Sequence, residues 1–234
     1  MRQILISALF ILMTLPLVAQ EDETAVGEII IETRQLAPFE TLRVARGINV
    51  TLVEGEKPKA EVHIMNADPE DVLIEQSNKD LTIRMRTRIY RNMAVNVYLY
   101  YQNIKEISAG TGGSVYSDDV IEAKRLVLDA GTDASIQFEI EVDHLEASAS
   151  AGRVEVMGTA NSIDVNLSTG GRFNGANLET KKAKVRANTG AGAEVWVTEE
   201  LEARAGSGAR IEYTGDPQKI EVRTSFGGRV QEME

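Results

Sequence analysis

The phrase ARAGSGARIEYTGDP, Ala203 to Pro217, follows a near copy of itself, VRANTGAGAEVWVT, which ends at Thr198. Aligning each small-residue turn on the apolar residue after it gives Val115, Ile136, Val154, Phe173, Ala193, Ile211 and Val230. The steps are 21, 18, 19, 20, 18 and 19 residues. An internal period of this length constrains the fold more than any other feature, because each copy must sit in equivalent surroundings. Two residues before the anchor stand Gly113, Ala134, Gly152, Gly171, Ala191, Ala209 and Gly228, all Gly or Ala. Four before it stand Thr111, Thr132, Ser150, Thr169, Thr189 and Ser207, with Phe226 in the last copy. Eight before it come Ile107, Leu128, Val165, Val185, Ala203 and Val222. In the remaining copy, HLEASASAGRV is one residue short in its turn, which gives that place to Ala147 instead of Glu146.

Each copy reads as strand, tight turn, strand and looser turn. Alternation sets the anchor and the residue two after it on one face, as in Ile211 with Tyr213 or Val154 with Val156. No copy has helical periodicity. About nineteen residues per copy is the coil length of a parallel β-helix. The expected fold is all-β, a right-handed parallel β-helix of about seven coils over residues 105–232. Residues 36–104 also alternate, in FETLRVARGINVTLVEG, KAEVHIMN, DLTIRMRTR and NMAVNVYLYY. They are expected to form a β-rich cap over the open strand edge at the N-terminal end.

The first residues differ in kind. MRQ leads into an apolar run from Ile4 to Val18, followed by the acidic QEDE. One Arg, about fifteen apolar residues and a small residue at Ala19 predict a cleaved signal peptide over 1–19. Residues 20–35 would then be a linker, with no membrane span left after cleavage. The apolar run is followed by no Cys that could carry a lipid, and the chain has no Cys at all. Disulfides and thiolate chemistry are therefore excluded. The net charge of −11 becomes −12 once Arg2 leaves with the leader. So acidic a chain is not drawn to nucleic acid by its overall field.

FETLRVARGINVTLVEG, DLTIRMRTR and the late string YTGDPQKI resemble the putative auto-transporter adhesin family, head GIN domain, with likeness running from about Leu36 to Val230. The resemblance implies a bacterial, exported, β-helical protein, in the periplasm, at the cell surface or outside the cell. It implies no activity.

Candidate chemistry is sparse. His63 and His144 have no ligand-type neighbours at metal spacing. GTGGSVYSDD touches a calcium-roll pattern once, with Asp118 and Asp119 as its carboxylates. The hydroxyl column lacks a base and is expected to hydrogen-bond turn backbone. Asp118 with Asp119, or Asp129 with Asp133, could form a carboxylate pair of the glycosidase kind, but the even coils leave no groove-building loops. A polysaccharide-acting enzyme is thus the weaker reading, and no cofactor or metal is expected.

The outward arginines are the leading feature. Arg153, Arg172, Arg210 and Arg229 each precede an anchor, and Arg186, Arg204 and Arg223 stand seven before one. They are either ion-paired with neighbours such as Glu155 and Glu212, or free to meet an acidic partner. The expected function is non-catalytic binding of a glycan or envelope protein through a flat side. The alternative is an envelope assembly protein that forms a homo-oligomer.

Overall fold

A computed structural model describes residues 28–233. The expected signal peptide and the first part of the expected linker lie outside the described residues. The strands are β1 (Ile29–Gln35), β2 (Thr41–Ala45), β3 (Asn49–Glu54), β4 (Lys59–Met65), β5 (Val72–Ser77), β6 (Asp80–Met85), β7 (Ala94–Tyr101), β8 (Glu106–Gly110) and β9 (Ser114–Ser117). They continue as β10 (Ile121–Ala130), β11 (Ser135–Ser150), β12 (Arg153–Ser168), β13 (Arg172–Ala187), β14 (Gly192–Ala205), β15 (Arg210–Thr214), β16 (Lys219–Thr224) and β17 (Arg229–Glu232). From β8 onward every pairing is parallel, each coil on the one before it. The chain is a β-solenoid of about seven turns.

Each coil has one face before the tight corner, a second face after it, and a short return segment. The anchors stack in one file: Val115 on Ile136, Val154, Phe173, Ala193, Ile211 and Val230. The file across the corner runs Ile107, Leu128, Ala147, Val165, Val185, Ala203 and Val222, with Ala147 in the short copy as the sequence predicts. Both files are closed to solvent up to Ile211 and Ala203. The core is filled by Val, Ile, Leu and Ala with Phe138 and Phe173, and no buried side-chain polar atom lacks a partner among the described residues.

The tight corner is a two-residue turn in the left-handed region. In one copy Thr169 has φ 50° and Gly170 φ 75°, and the Gly171 amide donates to the Ser168 carbonyl at 2.8 Å. Successive corners are then tied by backbone alone. The Gly170 amide donates to the Thr189 carbonyl, Gly190 to Ser207, and Gly208 to Phe226, at 2.9–3.1 Å. The expectation for the hydroxyl column needs correction here. The Thr169, Thr189 and Ser207 side chains point to solvent, and backbone amides make the corner ladder. A left-handed residue beside a glycine turns its amide along the stack, so no side-chain donor is required.

Two boundaries also change. The solenoid begins at β2, not at residue 105: β2 lies parallel on β8, with Leu42 on Ile107, and β3 on β9, with Val50 on Val115. Arg46 and Gly47, at φ 63° and 69°, form the same corner as the later copies. The cap is an insertion within this first coil. β6 extends one face beyond β2 and carries β5 antiparallel, while β7 extends the other beyond β3 and carries β4 antiparallel. The expected linker contains β1, which pairs antiparallel with β4 from Ile29 opposite Met65 to Gln35 opposite Lys59. An open edge on β4 would leave a row of unpaired amides, and β1 covers it. Arg34 secures β1, donating to the carbonyls of Pro69 and Val72 at 2.7 and 2.6 Å.

The small residue after the corner is set by the coil beneath. A Cβ on Gly171 would lie 2.2 Å from the Ala149 carbonyl oxygen, which is backbone and cannot swing away. Gly171→Val should therefore lower unfolding free energy by about 3 kcal/mol through overpacking, read from the denaturant midpoint. A midpoint unchanged from the parent would show that the corner has slack.

Candidate functional site

The register that stacks the anchors also stacks the residues before them. Arg153 lies on Arg172, Arg172 on Gly192, Gly192 on Arg210, and Arg210 on Arg229. All four arginines are exposed on the face after the corner. Arg153, Arg172 and Arg210 line a depression of about 520 Å3 together with Asn174, Glu194 and Glu212. Gly192 and Gly190 form part of its floor.

Pairing along this file is incomplete. Arg210 lies 3.7 Å from Glu212, as its spacing predicts. Among the described residues, no carboxylate lies within 4.0 Å of Arg153, Arg172 or Arg229. Adjacent coils are about 4.8 Å apart, so stacked guanidiniums repel by roughly 1 kcal/mol in water. The file relieves this at Gly192. The Arg172 side chain extends across that rung, its Nη1 only 2.2 Å from where a Gly192 Cβ would be. A second departure accompanies the first. The acidic column two residues on reads Glu155, Asn174, Glu194 and Glu212, so Arg172 lacks a carboxylate on its own rung.

The face before the corner is different. Arg186 pairs with Asp164 at 3.2 Å, Arg204 with Glu202 at 2.7 Å and Lys184 with Glu202 at 3.6 Å. Lys219 pairs with Glu200 at 2.6 Å and holds its carboxyl below the usual range. Glu146 is similarly lowered by the Arg125 guanidinium at 2.7 Å. Arg186 and Arg204 are thus neutralised where they stand, and the structure does not bring them to the depression.

The remaining candidates are dispersed. His63 packs against Tyr98 in a tilted arrangement, with ring centroids 4.9 Å apart. His144 contacts the Ser162 hydroxyl at 2.8 Å and Glu146 at 3.2 Å. Asp118 accepts from the Tyr116 hydroxyl, and Asp119 accepts from the Glu54 amide at 3.1 Å. Asp129 accepts from the Ser148 hydroxyl at 2.5 Å, and Asp133 sits in a corner at φ 54°. Among the described residues, no three His, Asp or Glu side chains gather into a metal-sized cluster.

Sequence reasoning passed over Gly192 and Asn174. Their signal lay in the columns from Arg153 to Arg229, where Gly192 interrupts the arginines and Asn174 interrupts the acids Glu155, Glu194 and Glu212.

A family model described as "Putative auto-transporter adhesin, head GIN domain" matches residues 38–217. The chain belongs to this family. Solved structures with the same fold include a putative adhesin from Bacteroides fragilis, 14% identical over 88% of this chain and 97% of that one, with a TM-score of 0.79. A putative adhesin from Parabacteroides merdae is 16% identical over 89% and 97%, with a TM-score of 0.72. A protein from Parabacteroides distasonis described as a putative lipid binding protein is 16% identical over 89% and 98%, with a TM-score of 0.68. No protein of curated function matches the sequence. Among the described residues, no helix is long and apolar enough to cross a membrane.

The gap in the arginine file has a measurable consequence. Gly192→Arg would push aside only the flexible end of Arg172 while placing a cation between Arg172 and Arg210. Unfolding free energy should fall by about 1 kcal/mol at low salt, and about 1 M salt should restore most of it by screening. A loss that salt leaves untouched would mean the glycine is needed for its backbone.

Proposed function

We propose that this head GIN protein is an exported, non-catalytic binding protein that holds an extended acidic polymer against the face after the corner. An acidic glycan of the envelope is the partner class that best fits. The observation that carries this reading is the arginine file itself. Arg153, Arg172 and Arg229 are exposed with no carboxylate within 4.0 Å among the described residues, in a chain of net charge −11. On the face before the corner Lys184, Arg186 and Arg204 each have a carboxylate within 4.0 Å, and among the described residues only the last arginine of that file, Arg223, does not. Guanidinium groups suit carboxylate and sulfate recognition because their forked donors bind in pairs. The rung spacing of about 4.8 Å is longer than the ~3.4 Å residue repeat of an extended peptide and closer to the length of a sugar unit. The arginines on either side of Gly192 thus match charges spaced along a glycan. Export rests on the apolar leader Ile4 to Val18 and on the family.

The test is a glycan array of acidic and neutral polysaccharides probed with the mature protein and with Arg172→Glu and Arg210→Glu. Binding to acidic glycans should weaken about tenfold or more in each variant, and melting temperature should hold nearly constant because exposed pairs contribute about 0–1 kcal/mol. Intact binding in both variants, or unfolding of either, would show the file to be structural. A protein recovered with Met1 in place would count against export.

A further inference from the structure

The two ends of the solenoid are finished differently. The N-terminal end is closed by β5 on one face and by β4 and β1 on the other. The C-terminal end stops at β16 and β17, with no described strand beyond them. Ile220 and Val222 stack on Leu201 and Ala203, which are fully buried, yet they are themselves 45% and 46% exposed. Phe226 replaces the Thr or Ser of neighbouring corners and is 88% exposed. The interior files thus end on apolar side chains facing water.

The outer edge of β16 is also open to pairing. The Ser225 amide donates back to Ala205, so by alternation Lys219, Glu221 and Arg223 turn their backbone groups inward to β14. Ile220, Val222 and Thr224 turn theirs outward. We propose that this edge joins a second copy of the same chain, β16 against β16 and antiparallel about a twofold axis at Val222. The exposed charges select that partner and that register. With Val222 opposite itself, Glu221 faces Arg223 of the partner subunit, and by symmetry the pair occurs twice. These are the closer, non-hydrogen-bonded positions of an antiparallel pair, while the outward backbone groups of Ile220, Val222 and Thr224 bond across the axis. Sliding by one residue would put Glu221 against itself and Lys219 against Arg223 of the partner subunit. Among the described residues Arg223 has no carboxylate within 4.0 Å, and Glu221 has only an exposed contact with Lys219 at 3.2 Å, which leaves its other carboxylate oxygen for the partner. Head-to-tail joining fits less well. It would set β16, with Lys219, Glu221 and Arg223, against β5, which offers the single charge Glu75. A self-complementary edge of this kind gives a closed dimer and not a filament. The proposal is independent of the arginine file on the other face.

The experiment is sedimentation of the mature chain, up to about 100 µM, with Glu221→Arg and Arg223→Glu measured singly and mixed. The parent should be dimeric. Each single variant sets like charges opposite each other twice and should weaken self-association about tenfold or more. An equimolar mixture of the two should regain the dimer, because both cations of the Glu221→Arg chain then face the two acids of the Arg223→Glu chain. Circular dichroism of each variant separates lost association from lost folding, and recovery on mixing cannot come from unfolded chains. A monomeric parent, single variants as dimeric as the parent, assemblies larger than two, or no recovery on mixing would each overturn the proposal.

Discussion

The structure depends on a carbonyl oxygen that comes within 2.2 Å of where a side chain would begin. At Gly171 the Ala149 carbonyl fills the space of a Cβ, and Gly152 and Gly228 stand in the same relation to Gly131 and Ala205. These corners nest tightly on the ones below, Ala134, Ala191 and Ala209 hold the same place in three others, and the left-handed residues aim an amide at the next corner. This fixes the rotation of every coil relative to its neighbours. A slip of one residue would turn all the interior side chains of a coil outward, so the nesting determines the core as well. The buried Val, Ile and Leu files, and the exposed Arg and Glu files beside them, follow from one registration.

That registration explains what could be read from the sequence. Seven corners recur at 18–21 residues, and their anchors stack as the spacing predicts, including the displaced Ala147. The first corner, Arg46 and Gly47, escaped because its anchor Val50 lies 65 residues before Val115. An insertion that folds back on the end of the stack erases the period without breaking the coil. The cap strands themselves alternate like solenoid strands, so alternation alone does not show that β4 and β5 run antiparallel. β1 was read as linker because three isoleucines in a row give no alternation; its partner β4 lies about thirty residues away.

At the site, composition showed the cations but not their pairing. Glu155 and Glu212 stand in equivalent places two residues after Arg153 and Arg210, yet only Arg210 is within 4.0 Å of its acid. Side-chain direction on an exposed strand is decided by neighbours on adjacent rungs, and those are nineteen residues distant in sequence. The glycine at 192 had meaning only once Arg172 and Arg210 were known to flank it.

A stack that repeats its register must solve electrostatics rung by rung, because a charge placed once is placed beside its own copies. On the face before the corner Arg186, Arg204 and Arg223 stack on one another, and acids in the neighbouring columns offset the cations. Lys184 and Arg204 meet Glu202, Arg186 meets Asp164, and Lys219 meets Glu200. The face after the corner does the reverse at two adjacent rungs. Asn174 removes the acid beside Arg172, and Gly192 removes the base beside Glu194. One rung is left with an unmatched positive charge and the next with an unmatched negative one. An acid at 174 would give Arg172 a partner on its own rung, whereas a base at 192 would stack a further cation between Arg172 and Arg210. The two departures lie in the lining of the depression, where the Arg172 side chain reaches across Gly192. With Asn174 in place of an acid on its own rung, Arg172 is exposed and has no carboxylate within 4.0 Å among the described residues. This arrangement distinguishes Arg172 from the paired arginines of the other face and makes it the centre of the proposed binding surface.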